Sequence, residues 1–175
     1  EKNKLTGIPK SLFKCQNMEK LDIFDNQLQS LHANIGVLDR LTHLNVSNNR
    51  LTDLPQSLYQ CRNLQTLDIS NNQLQSLHTD IGNLSCLKDL NVQNNKLTGL
   101  PQSLFQCRQL ESLYINNNQL QSLHYNIGHL SCLKKLKVGH NMLTELPLSL
   151  YQCKQLESID LFHIGLKYLY LDIRS

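Results

Sequence analysis

Apolar residues return along this chain with a period of 23, and the register restarts at Met18, Leu41, Leu64, Leu87, Leu110, Leu133 and Leu156. Counting each of these as position 1, positions 4 and 6 are apolar in every unit, as in Leu67 and Ile69 or Leu90 and Val92. Two apolar residues spaced by two share one face of an extended strand, so each unit predicts one short strand. Positions 1, 11, 14, 18 and 21 are apolar as well, for example Leu41, Leu51, Leu54, Leu58 and Cys61. They fold the rest of the unit into a coil with its side chains inward. Each apolar side chain is worth roughly 1.5–3 kcal/mol on burial, and backbone ordering of the unit costs a comparable amount. One coil is therefore not stable alone, and stability comes from stacking coils into one continuous core.

Position 9 is polar in the middle of this pattern. Asn26, Asn49, Asn72, Asn95, Asn118 and Asn141 occupy it, which predicts a side-chain ladder bonding backbone groups of the turn that would otherwise be buried unpaired. The units alternate between two kinds. Those starting at 41, 87 and 133 carry Leu-Pro and end near Cys, as in Leu54-Pro55-Gln56-Ser57-Leu58-Tyr59-Gln60-Cys61. Those starting at 18, 64 and 110 carry Leu-His and Ile-Gly, as in Leu77-His78-Thr79-Asp80-Ile81-Gly82. The true period is 46. Asn3 to Pro9 reads as the back half of a Pro-type unit, whereas Ile164 replaces the ladder Asn and Tyr168-Leu169-Tyr170-Leu171 breaks the spacing, as a terminal cap would.

The motif Leu-x-x-Leu-x-Leu/Ile/Val-x-x-Asn-x-Leu, in six full units and a degenerate seventh, resembles the leucine-rich repeat. The resemblance implies an α/β fold, a right-handed leucine-rich repeat solenoid (horseshoe) with a parallel concave sheet and short helical or 3₁₀ convex turns. It divides a single domain, 1–175, into a partial N-terminal repeat (1–17), six repeats (18–155) and a degenerate capping repeat (156–175). The Leu-Pro-x-Ser-Leu and Ile-Gly-x-Leu stretches are similar to those of intracellular Ras-signalling and Scribble-type scaffolds, and of effectors that bacteria deliver into host cells. That likeness implies a non-catalytic module that binds a partner protein on its concave face in a cytoplasm, a host's included. The alternative it implies is the substrate-targeting arm of a larger enzyme, a ubiquitin ligase or kinase, whose catalytic domain lies outside this chain.

Charge and cysteines narrow the setting. A formal charge of +3 without a dense basic tract gives no support for nucleic-acid binding, and no apolar run is long enough to span a membrane. Cys15, Cys61, Cys107 and Cys153 take position 21, where alternate units have Leu38, Leu84 and Leu130. They read as small buried hydrophobes. Like Cys86 and Cys132 at position 23, they lie two rungs apart, roughly 10 Å at about 4.8 Å per strand, beyond the ~7 Å that a disulfide spans. Free thiols predict a reducing, cytoplasmic compartment. The sequons Asn45-Val46-Ser47 and Asn83-Leu84-Ser85 do not weigh against this in so Asn- and Ser-rich a chain.

No phosphate loop, dinucleotide fingerprint or His-Glu-x-x-His motif is present, so no catalytic residue, metal site or cofactor is expected. His32, His78 and His124 alternate with Pro at position 15, two rungs apart, too far for shared metal ligation at about 2.0–2.1 Å. They read as turn residues, and Gly36, Gly82 and Gly128 as serving the convex turn. Function is left to the outward positions of the sheet. Most are short and polar, but Phe24, Tyr114 and Phe162 are aromatic. The expected protein-binding residues are Lys20, Asp22 and Phe24 at one end and Tyr114, Asn116, Lys135, Lys137, His140, Asp160 and Phe162 at the other. Tyr114 beside Lys135 and Lys137, with Gly139 leaving a gap next to Phe162, predicts a small recess suited to an acidic or phosphorylated partner bound by a monomer.

Overall fold

The computed structural model describes residues 4–166. The expected cap segment Tyr168 to Leu171 therefore lies outside the described residues. Seven strands, β1 (Lys20–Asp22), β2 (His43–Asn45), β3 (Thr66–Asp68), β4 (Asp89–Asn91), β5 (Ser112–Tyr114), β6 (Lys135–Lys137) and β7 (Ser158–Asp160), form one parallel sheet in chain order. The register keeps the sequence period: Leu21, Leu44, Leu67, Leu90, Leu113, Leu136 and Ile159 are successive Cα partners. Each strand returns to the next through a five-residue 3₁₀ turn, from Ala33–Val37 to Leu148–Gln152, and a like turn, Lys10–Lys14, leads into β1. Such short returns suit a stack in which every strand is laid beside its predecessor.

The inward columns form a single core along the stack. Leu41, Leu51, Leu58, Cys61 and Leu64 are fully buried, and the same columns recur as Leu87, Leu97, Leu104, Cys107 and Leu110. The Asn ladder does what its spacing implies. Asn72 Oδ1 accepts the N–H of Leu51 at 2.9 Å, while its Nδ2 donates to the carbonyls of Val46, Ile69 and Ser70 at 3.1 Å each. Each ladder Asn thus sews one coil to the previous one, leaving no buried turn amide unpaired at the junction.

The two kinds of coil produce two kinds of seam on the turn side. Where a Pro-type coil follows a His-type coil, the backbones come close enough that a Cβ on Gly36 would lie 2.3 Å from the Ser57 carbonyl oxygen, and one on Gly82 2.7 Å from that of Ser103. These glycines have no positive φ, so they serve close approach between coils and not the turn itself. The thiols of Cys61, Cys107 and Cys153 cross the same seam and donate to the carbonyls of Ile35, Ile81 and Ile127 at 3.5, 3.4 and 3.3 Å. Leucine has no donor to offer there, which gives Cys a reason to hold alternate units.

Where a His-type coil follows a Pro-type coil, rings fill the seam. Phe13, Tyr59 and Phe105 face His32, His78 and His124 with centroids 4.9, 5.6 and 5.9 Å apart. Each of these His residues caps its 3₁₀ turn: Nδ1 accepts the N–H of Asn34, Asp80 or Asn126 at 3.0–3.1 Å. Pro9, Pro55, Pro101 and Pro147 take the cap position in the other coils, supplying a preset φ where His supplies a side-chain acceptor.

Cys15 departs from its column. It is exposed, whereas Cys61, Cys107 and Cys153 are buried, because the coil that covers those three has no counterpart before Cys15 among the described residues.

Candidate functional site

The outward face of the sheet is built on a second ladder, at position 5. In five of the seven rungs an Asp or Asn side chain bends forward and accepts the N–H of the residue two positions on. Asn45 takes Ser47 at 3.1 Å, Asp68 takes Ser70 at 2.9 Å, Asn91 takes Gln93 at 3.2 Å, Asp160 takes Phe162 at 3.0 Å, and Asp22 reaches Phe24 more loosely at 3.4 Å. The hydroxyls of Ser47 and Ser70 donate to the same oxygens. These short polar residues, which look free to vary in the sequence, satisfy the backbone at the strand end. The signal was present in the period: Asx at position 5 with Ser two residues later is an Asx-turn pattern.

Two adjacent rungs lack this ladder. Tyr114 and Lys137 replace the Asx residue, are Cα partners across β5 and β6, and meet side by side with the Lys137 ammonium 5.2 Å from the centre of the Tyr114 ring. That is a cation–π distance. Lys135 and Lys137 are exposed, Tyr114 and Asn116 half-buried. Asn116 Oδ1 is buried without a hydrogen-bond partner.

The next two rungs carry rings. His140 lies edge-on to Phe162 at 5.3 Å and 5.0 Å from His163, and Phe162 is 4.2 Å from His163. Both His residues have left-handed backbone, φ 53° and 50°, as do Asp25, Asn48, Asn71, Asn94 and Asn117 in the equivalent place. Phe162 is 62% exposed. The expected gap at Gly139 is not there: the residue is buried, and a Cβ on it would lie 2.8 Å from the Phe162 carbonyl oxygen and 3.3 Å from Asp160 Oδ1. Glycine is needed because the neighbouring rung closes over it.

The sequence-expected residues therefore fall into two groups. Tyr114, Asn116, Lys135, Lys137, His140, Asp160 and Phe162 share β5–β7 and the residues just after them. Lys20 and Asp22 sit on β1 and Phe24 just after it, four strands away, roughly 19 Å at about 4.8 Å per strand. Lys20 and Asp22 line a separate shallow depression with His43, Asn45, Thr66 and Asp68; of these four, none was singled out by the sequence pattern.

Other chemistry on the molecule is structural in character. Glu111 and Lys134 pair at 2.6 Å, and the lysine's hydrogen bond lowers the carboxyl pKa while raising its own. Among the described residues no three or more His, Cys, Asp or Glu side chains gather where they could hold a metal ion, and no helix is long and apolar enough to cross a membrane.

Stacked strand-and-turn coils around a shared core, with a bonded Asn at each junction, define a repeat solenoid. The chain belongs to the leucine-rich repeat family, whose model matches residues 39–97 and 85–141, with a further leucine-rich repeat match over 14–30. Among solved structures it is similar to a leucine-rich repeat protein of Leptospira interrogans, with TM-score 0.91 and 32% identity over 94% of this chain and 42% of that one. It is also similar to the plant peptide hormone receptor RGFR1 in complex with RGF2, with TM-score 0.82 and 32% identity over 90% of this chain and 26% of that one. A third likeness is to the ectodomain of the Arabidopsis thaliana membrane receptor kinase GASSHO1/SCHENGEN3 in complex with Casparian strip integrity factor 2. There the TM-score is 0.79 and the identity 32%, over 86% of this chain and 19% of that one. The chain thus spans less than half the length of each. No curated protein matches it by sequence.

Proposed function

We propose that this chain is a non-catalytic protein-binding module that takes its partner on the outward sheet face over β5–β7. The observation that carries the reading is the pair of rungs at which the Asx ladder is given up for Tyr114 and Lys137. Backbone satisfaction is forgone there, and a cation resting on an aromatic ring is put in its place; interface hot spots favour such residues. With Lys135 the patch carries two exposed cations, which suits an acidic or phosphorylated partner surface and steers its approach. Two neighbours in complexes, RGFR1 with RGF2 and GASSHO1/SCHENGEN3 with its factor, are in keeping with a binding role. Six unpaired cysteines, three of them standing in for core leucines, support a reducing cytoplasm as the setting, a host's if the chain is delivered there, in which the chain acts as a monomer.

Affinity capture from cytoplasmic extract tests the reading, with the native chain beside Tyr114→Ala, Lys137→Glu and the turn-side control Gln75→Glu. A partner held by the native chain and the control but lost by both sheet-face variants supports it. A partner that tolerates both sheet-face changes and is lost on turn-side substitution overturns it.

A further inference from the structure

Five rungs supply their own acceptor for the position-7 amide; the rungs of Tyr114 and Lys137 cannot. A tyrosine hydroxyl is too far from its own backbone to bend two residues forward, and a lysine ammonium only donates. Neither the Asn116 nor the Gly139 N–H finds another acceptor among the described residues. The two positions are not equivalent. Gly139 is buried, with Asp160 Oδ1 3.3 Å from where its Cβ would be, so an incoming anion meets both a steric cover and a like charge. Asn116 is half-buried and has the ammonium of Lys137 above the adjacent ring.

We infer that the Asn116 N–H is completed in trans: a carboxylate from an acidic side chain of the bound partner accepts this amide, in the place that Asn91 and Asp68 oxygens hold on the two preceding rungs. This inference rests on the sheet-face reading above and specifies its contact. The geometry that Asp68 adopts, one oxygen on the amide at 2.9 Å and the other free to take Asn91 Nδ2 at 3.1 Å, shows that a carboxylate fits this slot. In the Tyr114 rung Lys137 stands on the next strand, where it can meet the second oxygen. A charge-assisted bond to a backbone N–H is among the stronger hydrogen bonds, and here it is made only when partner is bound. The partner class that follows is an extended acidic segment presenting Asp or Glu to the β5–β6 junction. A phosphorylated segment is the competing source and is separated by the test.

The first measurement needs no partner. Amide hydrogen exchange by NMR on the native chain is expected to show Asn116 exchanging at least about tenfold faster than Ser70 and Gln93. Tyr114→Asp restores an acceptor in cis and is expected to slow Asn116 by about tenfold, while Tyr114→Leu leaves it fast. Equal protection of Asn116, Ser70 and Gln93 in the native chain overturns the inference. The second measurement selects binders from a random dodecapeptide library and maps them on the isotope-labelled chain. Acidic peptides that shift the Asn116 amide, and lose about tenfold or more in affinity when one Glu or Asp becomes Gln or Asn, are expected. Sheet-face peptides without a carboxylate requirement, or ones that bind only when phosphorylated, sink the inference and leave the sheet-face reading standing. Peptides that map to the turn side, or a failure to select any, count against both.

Discussion

Asn95 Oδ1 accepts the main-chain N–H of Leu74 at 3.0 Å, while its Nδ2 donates to Ile69 O at 3.0 Å and Val92 O at 3.1 Å. One buried amide thereby joins three segments of two successive coils. Asn95→Ala leaves the buried Leu74 N–H without its acceptor, while the Ile69 and Val92 carbonyls keep Asn72 and Asn118 as donors, and urea denaturation is expected to show a loss of about 1–3 kcal/mol.

Its neighbour Asn94 is not the neutral surface position that its outward place suggests. Its φ is 54° and its Nδ2 donates to Asn71 Oδ1 at 2.7 Å. Asn94→Ala puts a Cβ-bearing residue without a local polar side chain into left-handed backbone, costing about 1 kcal/mol. Asn94→Gly is expected to cost less than Asn94→Ala, because glycine adopts that backbone freely. Equal urea midpoints for the two variants would show that the hydrogen bond, which both lose, and not the backbone, sets the cost.

Two glycines separate close approach from mere smallness. A Cβ on Gly82 meets the Ser103 carbonyl oxygen at 2.7 Å, whereas nothing lies within 4 Å of one on Gly99. Gly82→Ala is expected to destabilise by about 1–3 kcal/mol through overpacking, and Gly99→Ala to stay within about 0.5 kcal/mol. Thermal or urea unfolding of the two variants side by side checks this.

The six thiols fall into two classes of three. Cys15, Cys86 and Cys132 are exposed or half-exposed and are expected to react quickly with a thiol reagent in the native state. Cys61, Cys107 and Cys153 are buried, and burial pushes each thiol up to about 11 from its ordinary 9.0. They react on the timescale of unfolding. Mass spectrometry of a labelling time course distinguishes the classes.

The same three thiols give the protein an alkaline limit. The native state holds these protons to about pH 11 and the unfolded chain releases them near 9, so the unfolded state binds fewer protons between those values and stability falls as pH rises through the window. Tyr59, pushed up to about 12 by burial, extends the fall above pH 10. The urea midpoint is expected to be insensitive to these groups below pH 8 and to drop from 9 to 11, less steeply in Cys107→Ala.

For the binding surface, Tyr114→Ala is expected to weaken a sheet-face partner by about 2 kcal/mol or more. Lys137→Glu is expected chiefly to slow association and reverse its salt dependence. Stopped-flow association at two ionic strengths reads both effects.

The fold was legible because one side of every coil is fixed by packing. Leu67, Ile69 and Leu74 can only be inward, and Asn72 between them can only be a bonded polar group. The partner-facing side was legible in part. The departure of Tyr114 and Lys137 from their column shows in the letters, but its cost does not, because only the structure reveals that Asp68 and Asn91 bond their own backbone. Gly139 illustrates the limit: a missing side chain reads as space, yet the β7 rung settles over it. The role of Cys61 was hidden for a similar reason. Its acceptor, the Ile35 carbonyl, lies 26 residues back, a relation that appears only once the coils are stacked.

The alternation of glycine seams with ring seams gives the stack a parity. A coil of one kind is shaped to follow only the other kind, so the solenoid can lengthen or shorten in steps of 46 residues but not of 23. Removing residues 64–109 brings the Tyr59 ring against His124, a junction of the kind already present at His78. Removing only 64–86 sets Tyr59 against a Pro-type coil whose close-packed Ser103 backbone was fitted to the bare Gly82. A change in length by an even number of coils thus keeps every seam matched, whereas an odd number leaves one junction mismatched and is penalised at folding, before any partner is met.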